Sequence, residues 1–328
     1  MSELELLVNI RANASHKKRT VILPESHDDR VLKAAEIITK DGVGSVITLG
    51  NEETVRTKAE SLGVNLQGVR IIDPEKSDLL SNFANIFYNL RKHKGITIEE
   101  ARGTVSRDIF FAGMMLREGM AQGCVAGSAA STADVMRAGI LCVGMKPGIS
   151  TVSSFFLMVY PEITYSFGDC AVVPDPDAEQ LADIAISTAD NHKILTGEEP
   201  FVAMLSFSTK GSAKHKLADK VIEATAKVRE KRPDIKVDGE LQFDTAVVES
   251  VGKKKAPESE VAGRANVLIF PDLQAGNIGY KIAQRLGGAE AVGPVVQGLK
   301  QPFFDLSRGC SVEDIVNTSA IALLMAGN

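Results

Sequence analysis

Thr20-Val21-Ile22-Leu23-Pro24, then Arg30 to Lys40, then Ser45-Val46-Ile47-Thr48-Leu49-Gly50 is the stretch that decides the fold. The first run is short, apolar, rich in β-branched residues and closed by a proline, which reads as a strand. Between Arg30 and Lys40 the apolar residues Val31, Leu32, Ala34, Ala35, Ile37 and Ile38 recur at helical spacing. Ser45–Leu49 repeats the first run and ends at Gly50. Neither strand alternates apolar with polar, so both faces are buried. Strand, helix, strand with buried strands is the signature of a parallel sheet covered on both sides.

Working outward, Glu53 to Leu62 reads as a helix ended by Gly63, and Val69-Arg70-Ile71-Ile72 as a third strand. Thr97 to Arg102 and Ile109 to Glu118 read as helices. Gly123-Cys124-Val125-Ala126-Gly127 is a buried strand opening onto a loop of small residues. Beyond it, Thr151 to Met158, Cys170-Ala171-Val172-Val173, Phe201 to Phe207 and Asn266 to Phe270 read as strands. Glu179 to Asn191, Lys214 to Lys231 and Gly279 to Arg285 read as helices. The β-rich patch Gly148 to Phe167 is expected to carry an antiparallel excursion.

With 328 residues, 44% of them hydrophobic, the chain exceeds one simple core and is expected to form two domains. The break is placed near Val143-Gly144. The apolar helix Ile315 to Met325 is too short to be a domain and is expected to return and pack on the first one. The fold class is therefore α/β, two α/β/α domains with mostly parallel sheets. Net charge is −5 and the pI about 5.7, which points away from a nucleic-acid surface. Lys253-Lys254-Lys255 reads as a solvated loop. The four cysteines, Cys124, Cys142, Cys170 and Cys310, are scattered with no CxxC, so no metal site is expected and reduced thiols are. No apolar run reaches the ~18 residues that span a bilayer, and the N-terminus is acidic. The expectation is a soluble, cytoplasmic protein without a membrane partner.

In open α/β sheets ligands bind at the C-terminal edges of strands. Three such edges carry small polar loops here. Ala126-Gly127-Ser128-Ala129-Ala130-Ser131-Thr132 precedes a short helix, so its amides and the hydroxyls of Ser128, Ser131 and Thr132 are candidates for binding phosphate. The same residues serve equally as an ordinary N-cap, with Asp134 in the first turn. Ser206 to Lys214 has the hydroxyls, glycine and lysine of a phosphate cradle without Walker spacing. Pro271 to Gly279 carries two glycines that permit close approach of a ligand or a neighbouring loop. No GxGxxG, HExxH or GxSxG occurs.

The C-terminal segment Asp305-Leu306-Ser307-Arg308-Gly309-Cys310-Ser311-Val312-Glu313-Asp314 is the most polar turn in front of an apolar helix. Ser311-Val312-Glu313-Asp314 is a capping box, which accounts for Asp314 structurally. It leaves Asp305, Ser307 and Arg308 without a reason.

This segment resembles the signature of phosphate acetyltransferases. So do Leu205 to Ala213, Asp238-Gly239-Glu240-Leu241-Gln242-Phe243-Asp244 and Phe270 to Tyr280, in the same order along the chain. The resemblance implies two α/β domains, similar in architecture to isocitrate and isopropylmalate dehydrogenases, with the active site in the cleft between them, and usually a homodimer. It implies domains of 1–143 plus 294–328 and of 144–293. The implied activity is transfer of acetyl between acetyl phosphate and coenzyme A, a substrate rather than a bound cofactor. Asp314 matches the family's catalytic aspartate, and Ser307 and Arg308 its neighbouring serine and arginine, which also meet coenzyme A. Arg91 and Arg137 match two arginines that hold acetyl phosphate or phosphate. On residue type alone Arg91 is a solvated helix-end cation. Two positions depart from the pattern: Phe304 replaces the usual Asn, and Ala130 the usual His or Asn.

The mechanism implied is a ternary complex in which Asp314 takes the thiol proton and the thiolate attacks the acetyl carbonyl, with no acyl-enzyme. An ordinary carboxylate pKa near 4 lies ~4.5 below a thiol near 8.5, roughly 6 kcal/mol. Arg308 is therefore expected to point at the thiol and carbonyl more than at Asp314. Cys310 is read as a packed bystander. A phosphate butyryltransferase is the alternative within the family. An isocitrate-type dehydrogenase or an inactive scaffold protein is the alternative outside it.

Overall fold

The computed structural model describes residues 2–327. Its strands are β1 (Thr20–Leu23), β2 (Ser45–Leu49), β3 (Arg70–Ile72), β4 (Gly123–Ala126), β5 (Ser153–Val159), β6 (Thr164–Gly168), β7 (Phe201–Leu205), β8 (Lys236–Leu241), β9 (Val267–Ile269), β10 (Glu290–Gln297) and β11 (Phe303–Asp305). The helices are α1 (Glu3–His16), α2 (Asp29–Lys40), α3 (Glu52–Ser61), α4 (Leu79–Arg91), α5 (Ile98–Val105), α6 (Asp108–Arg117), α7 (Thr132–Ala138) and α8 (Ala178–Thr196). After these come α9 (Lys216–Lys231), α10 (Phe243–Val247), α11 (Glu249–Lys255), α12 (Leu273–Arg285) and α13 (Val312–Met325). Two compact units result, one of Met1–Leu6 with Pro147–Gly298, the other of Leu7–Lys146 with Leu299–Asn328.

The unit of Leu7–Lys146 and Leu299–Asn328 holds a five-stranded sheet in the order β11-β4-β1-β2-β3. All its pairings are parallel. β4 is buried at every position, as the unalternating run requires. Asp28 caps α2 by accepting from the Arg30 amide, and Val31, Leu32, Ala34, Ala35 and Ile38 form its buried face. The returning helix α13 packs on α2 and β4, burying Ile315, Val316, Ala320, Ile321, Ala322 and Leu323. Phe304, on β11, is 1% exposed and fills core space.

The unit around Pro147–Gly298 holds a six-stranded sheet in the order β10-β5-β6-β9-β7-β8. β6, β9, β7 and β8 run parallel, whereas β5 is antiparallel to both β6 and β10. The antiparallel excursion therefore spans β5 and β6 and is completed by β10. Cys170–Val173 is not a strand. Its amides at Ala171, Val172 and Val173 donate to the Asp169 carboxylate, so no ladder is formed. Lys253–Lys255 is not a loop but the last turn of α11, where cations suit the negative helix end.

Candidate active site at a strand edge

β11, β4 and β1 are adjacent and parallel, so the segments that follow them meet at one sheet edge. The central feature there is Glu25, 2% exposed, just past β1. Its Oε2 accepts from the Gly127 amide (2.7 Å), the Ser128 amide (2.9 Å) and the Ser128 hydroxyl (3.0 Å). Its Oε1 accepts from the amides of Ala129 (3.1 Å) and Ala130 (2.7 Å). The loop that reads as an anion cradle is one, but the anion it cradles is the protein's own.

The Ser128 hydroxyl is buried and donates to Glu25. The Ser131 hydroxyl caps α7, accepting from the Asp134 amide and donating to Asp134 Oδ2. Thr132 lies beside Asp305. Burial pushes the Asp305 carboxyl up, and the Thr132 hydroxyl acts in the opposite direction. Gly127 (φ +99°) lets these loops touch: a Cβ there would stand 2.3 Å from Asp305 Oδ1 and 2.7 Å from the Leu306 nitrogen.

The same arrangement recurs in the other unit. Glu240, 2% exposed, accepts from the Ser208 hydroxyl and the Gly211 amide, so Ser206 to Lys214 is likewise filled from within. Of the two glycines in Pro271 to Gly279, Gly276 serves a neighbouring loop, because a Cβ there would stand 2.1 Å from the Asp169 carbonyl oxygen, whereas Gly279 lies against the Phe270 ring.

At the end of β11 the chain turns. The Cys310 amide donates to the Ser307 carbonyl (2.9 Å) and the Gly309 amide to the Ser307 hydroxyl oxygen (3.2 Å). Ser311 then starts α13 as a complete capping box. Its hydroxyl oxygen accepts from the Asp314 amide (3.1 Å), and Asp314 Oδ2 accepts from the Ser311 amide (2.8 Å). Ser307, Arg308 and Asp314 are all exposed. Among the described residues, no ion pair joins Arg308 to Asp314. Cys310 is buried, and burial pushes its thiol up, with Arg30 pulling the other way.

Arg137 occupies the last turn of α7 rather than the end that Ser131 caps, and is exposed. Arg91 is the last residue of α4 and half-buried. Neither guanidinium has a hydrogen bond or ion pair among the described residues, and no such bond ties Arg91 to the strand-edge loops. Asp134 instead pairs with Arg107 (3.3 Å). The Ser128–Thr132 loop is linked to the turn after β11 by Arg30, which donates to the carbonyls of Ser128, Arg308 and Cys310, and by Thr132 beside Asp305. The sequence reading names none of Glu25, Asp28 and Arg30, which hold these loops. The one local signal for them is a charged run, Glu25 to Arg30, directly after a buried strand. Among the described residues no group of three or more His, Cys, Asp or Glu is placed to hold a metal.

The phosphate acetyl/butaryl transferase family model matches residues 5–323. A phosphate acetyltransferase of Thermoanaerobacterium thermosaccharolyticum is 49% identical over 98% of this chain and 100% of its own length. One of Acetivibrio thermocellus is 48% identical over 99% of this chain and 98% of its own. The crystal structure of a phosphotransacetylase from Streptococcus pyogenes superposes with a TM-score of 0.95 at 43% identity, covering 99% of both chains. By its sequence over nearly its full length and by its fold, the chain belongs to the phosphate acetyl/butaryl transferase family.

Proposed function

We propose that this protein catalyses reversible transfer of an acetyl group between acetyl phosphate and coenzyme A. One observation carries the reading beyond family membership. The turn after β11 and the start of α13 leave three functional atoms unengaged and facing solvent. The Ser307 hydroxyl accepts one bond and keeps its proton to donate. The Arg308 guanidinium has no partner among the described residues. Asp314 spends Oδ2 on the capping box and keeps Oδ1 free. The capping box fixes where that oxygen points, so the structural and chemical roles of Asp314 are compatible.

In the reaction, Asp314 Oδ1 takes the proton of the coenzyme A thiol. The thiolate attacks the carbonyl carbon of acetyl phosphate, forming the C–S bond. The C–O bond to phosphate then breaks, and phosphate leaves with the electron pair and takes up one proton, while Asp314 gives up the thiol proton and is again a carboxylate. Ser307 and Arg308 donate to the oxyanion formed between these steps and hold the thiol end of coenzyme A. Arg91 and Arg137 neutralise the phosphate, a part that needs an unpaired guanidinium. Ser128, Ser131 and Thr132 shape the loop beside it, their hydroxyls being engaged with or set against protein carboxylates.

All four cysteines are unpaired thiols. That supports a reducing compartment, the cytoplasm, and no helix among the described residues is long and apolar enough to cross a membrane. A homodimer is supported by a groove of about 820 Å³ on the Pro147–Gly298 unit, lined by Tyr160, Ile163, Phe243, Phe270, Ile282 and Leu286. Its lining residues Ile282 and Leu286 continue with Ile278 as an exposed i, i+4, i+8 stripe, with Leu286 84% exposed. One apolar patch meeting its own copy across a two-fold axis suits a homodimer contact.

Coenzyme A-dependent phosphate release from acetyl phosphate, run beside butyryl phosphate, tests the substrate. Acetyl phosphate is expected to have the higher kcat/KM, and the reverse would make the chain a butyryltransferase. Arg91→Ala and Arg137→Ala are expected to raise the acetyl phosphate KM about tenfold, the loss of one charge-assisted contact. An unchanged KM in both removes them from the site.

A further inference from the structure

We infer that Arg30 is a positioning residue of this site, holding the Ser307–Cys310 turn in register with the Gly127–Thr132 loop. Its guanidinium has five N–H donors, and all five are used. Nε donates to Asp28 Oδ1 (3.0 Å) and one Nη2 proton to Asp28 Oδ2 (2.6 Å). The second Nη2 proton goes to the Ser128 carbonyl (2.9 Å). The two Nη1 protons go to the carbonyls of Arg308 (2.8 Å) and Cys310 (2.7 Å). One side chain therefore joins the segments that follow β1, β4 and β11.

Local preference does not explain an arginine here. Residue 30 lies in the first turn of α2, where a cation opposes the positive end of the helix dipole. Asp28 offsets this, and the guanidinium in turn holds the Asp28 carboxyl below the usual carboxylate range. What the arginine gains is the turn. Its two acceptors there, Arg308 and Cys310, flank Gly309, the residue best able to let the turn relax. Without them the turn keeps only the Cys310 amide bond and the Gly309 amide bond to Ser307. Arg308 and Ser307 then lose their fixed direction relative to Asp314, which the capping box still holds. The expected defect is in the chemical step rather than in binding. Lysine cannot substitute, because an ammonium offers three donors from one point and not a planar five-donor fork.

The proposal rests on the acyl-transfer reading of Ser307, Arg308 and Asp314, so the parent protein and Asp314→Asn are assayed alongside. Arg30→Lys is expected to lower kcat 10- to 100-fold while both substrate KM values stay within threefold. Asp28→Asn is the second variant. Asparagine caps a helix as well as aspartate does, so α2 stays capped and only the arm that aims Arg30 is loosened. It is expected to lower kcat three- to tenfold, again without a KM change. Methylguanidinium added to Arg30→Ala is expected to recover part of kcat, where equimolar methylammonium does not. A purely structural arginine would lower the unfolding temperature and leave kcat per folded molecule unchanged. If the parent is active and Asp314→Asn is not, a kcat within twofold of the parent in Asp28→Asn, or in a folded Arg30→Lys, overturns the role of Arg30. An inactive parent would instead overturn the acyl-transfer reading.

Discussion

Replacing Glu25 by glutamine tests whether the protein's own carboxylate holds the loop after β4. The two side chains have the same shape, so the change is one of hydrogen-bond polarity. All five groups around Glu25 are donors: four backbone amides and the Ser128 hydroxyl. A carboxylate accepts on both oxygens, whereas a glutamine accepts on one and donates from the other. The better orientation keeps the oxygen at the Oε2 position, with three donors. The NH2 group then faces the amides of Ala129 and Ala130, leaving two donors opposite a donor. Each unsatisfied buried donor costs about 1–3 kcal/mol. Ala129 and Ala130 are less buried than Gly127 and Ser128, so water recovers part of this and the lower end applies. The expected destabilisation is about 2 kcal/mol. At roughly 2–4 °C per kcal/mol for a unit of this size, calorimetry should show the unfolding midpoint falling by about 4–8 °C. A fall of under about 2 °C would refute the claim that Glu25 fills the cradle.

Two further outcomes follow from titratable groups outside the reaction. Burial pushes the His192 imidazole down to about 4, and its Nε2 has no hydrogen-bond partner. The unfolded chain takes up this proton near pH 6.5 and the folded one only near 4, so stability is complete above pH 6.5 and falls as pH drops between those values. The gap is worth up to about 3 kcal/mol, at about 1.4 kcal/mol per tenfold. Denaturation midpoints of the parent at pH 7 and pH 5 should therefore differ more than those of His192→Gln, and equal differences would contradict it. Cys310→Ala should keep kcat within about threefold, because burial disfavours the thiolate and direct attack needs no acyl-enzyme. An acetylated Cys310 seen by mass spectrometry during turnover would contradict this.

The sheet strands that are buried on both faces were legible in the sequence, since Thr20–Leu23, Ser45–Leu49 and Gly123–Ala126 lack the apolar-polar alternation of a half-exposed strand. The capping box at Ser311–Asp314 was legible because it is complete within four residues. β10 was not, because Gly293-Pro294 in its middle argues against a strand. It sits at the sheet edge and shifts register between Val292 and Val295, where a missing N–H is tolerated. Cys170–Val173 misled in the opposite direction: its residues suit a strand, but a side chain takes its backbone donors. The site shows the same limit. Ser307, Arg308 and Asp314 belong to one segment and are recognised there. Glu25 and Arg30 act only when residues 25–30, 127–130 and 306–310 meet, and on their own they read as surface charge. The small polar loops read as anion-binding, and the anions their donors meet in the structure are Glu25 and Glu240.

Asp314→Asn is the most direct test of the acyl-transfer site. Asparagine can still accept from the Ser311 amide, so α13 remains capped and the fold is retained. Turnover with acetyl phosphate and coenzyme A should fall by 10²- to 10⁴-fold, the usual contribution of a general base. The coenzyme A dissociation constant, measured by calorimetry, should stay within about threefold. Turnover within tenfold of the parent would show that Asp314 is not the base and that its capping role is the whole of its function.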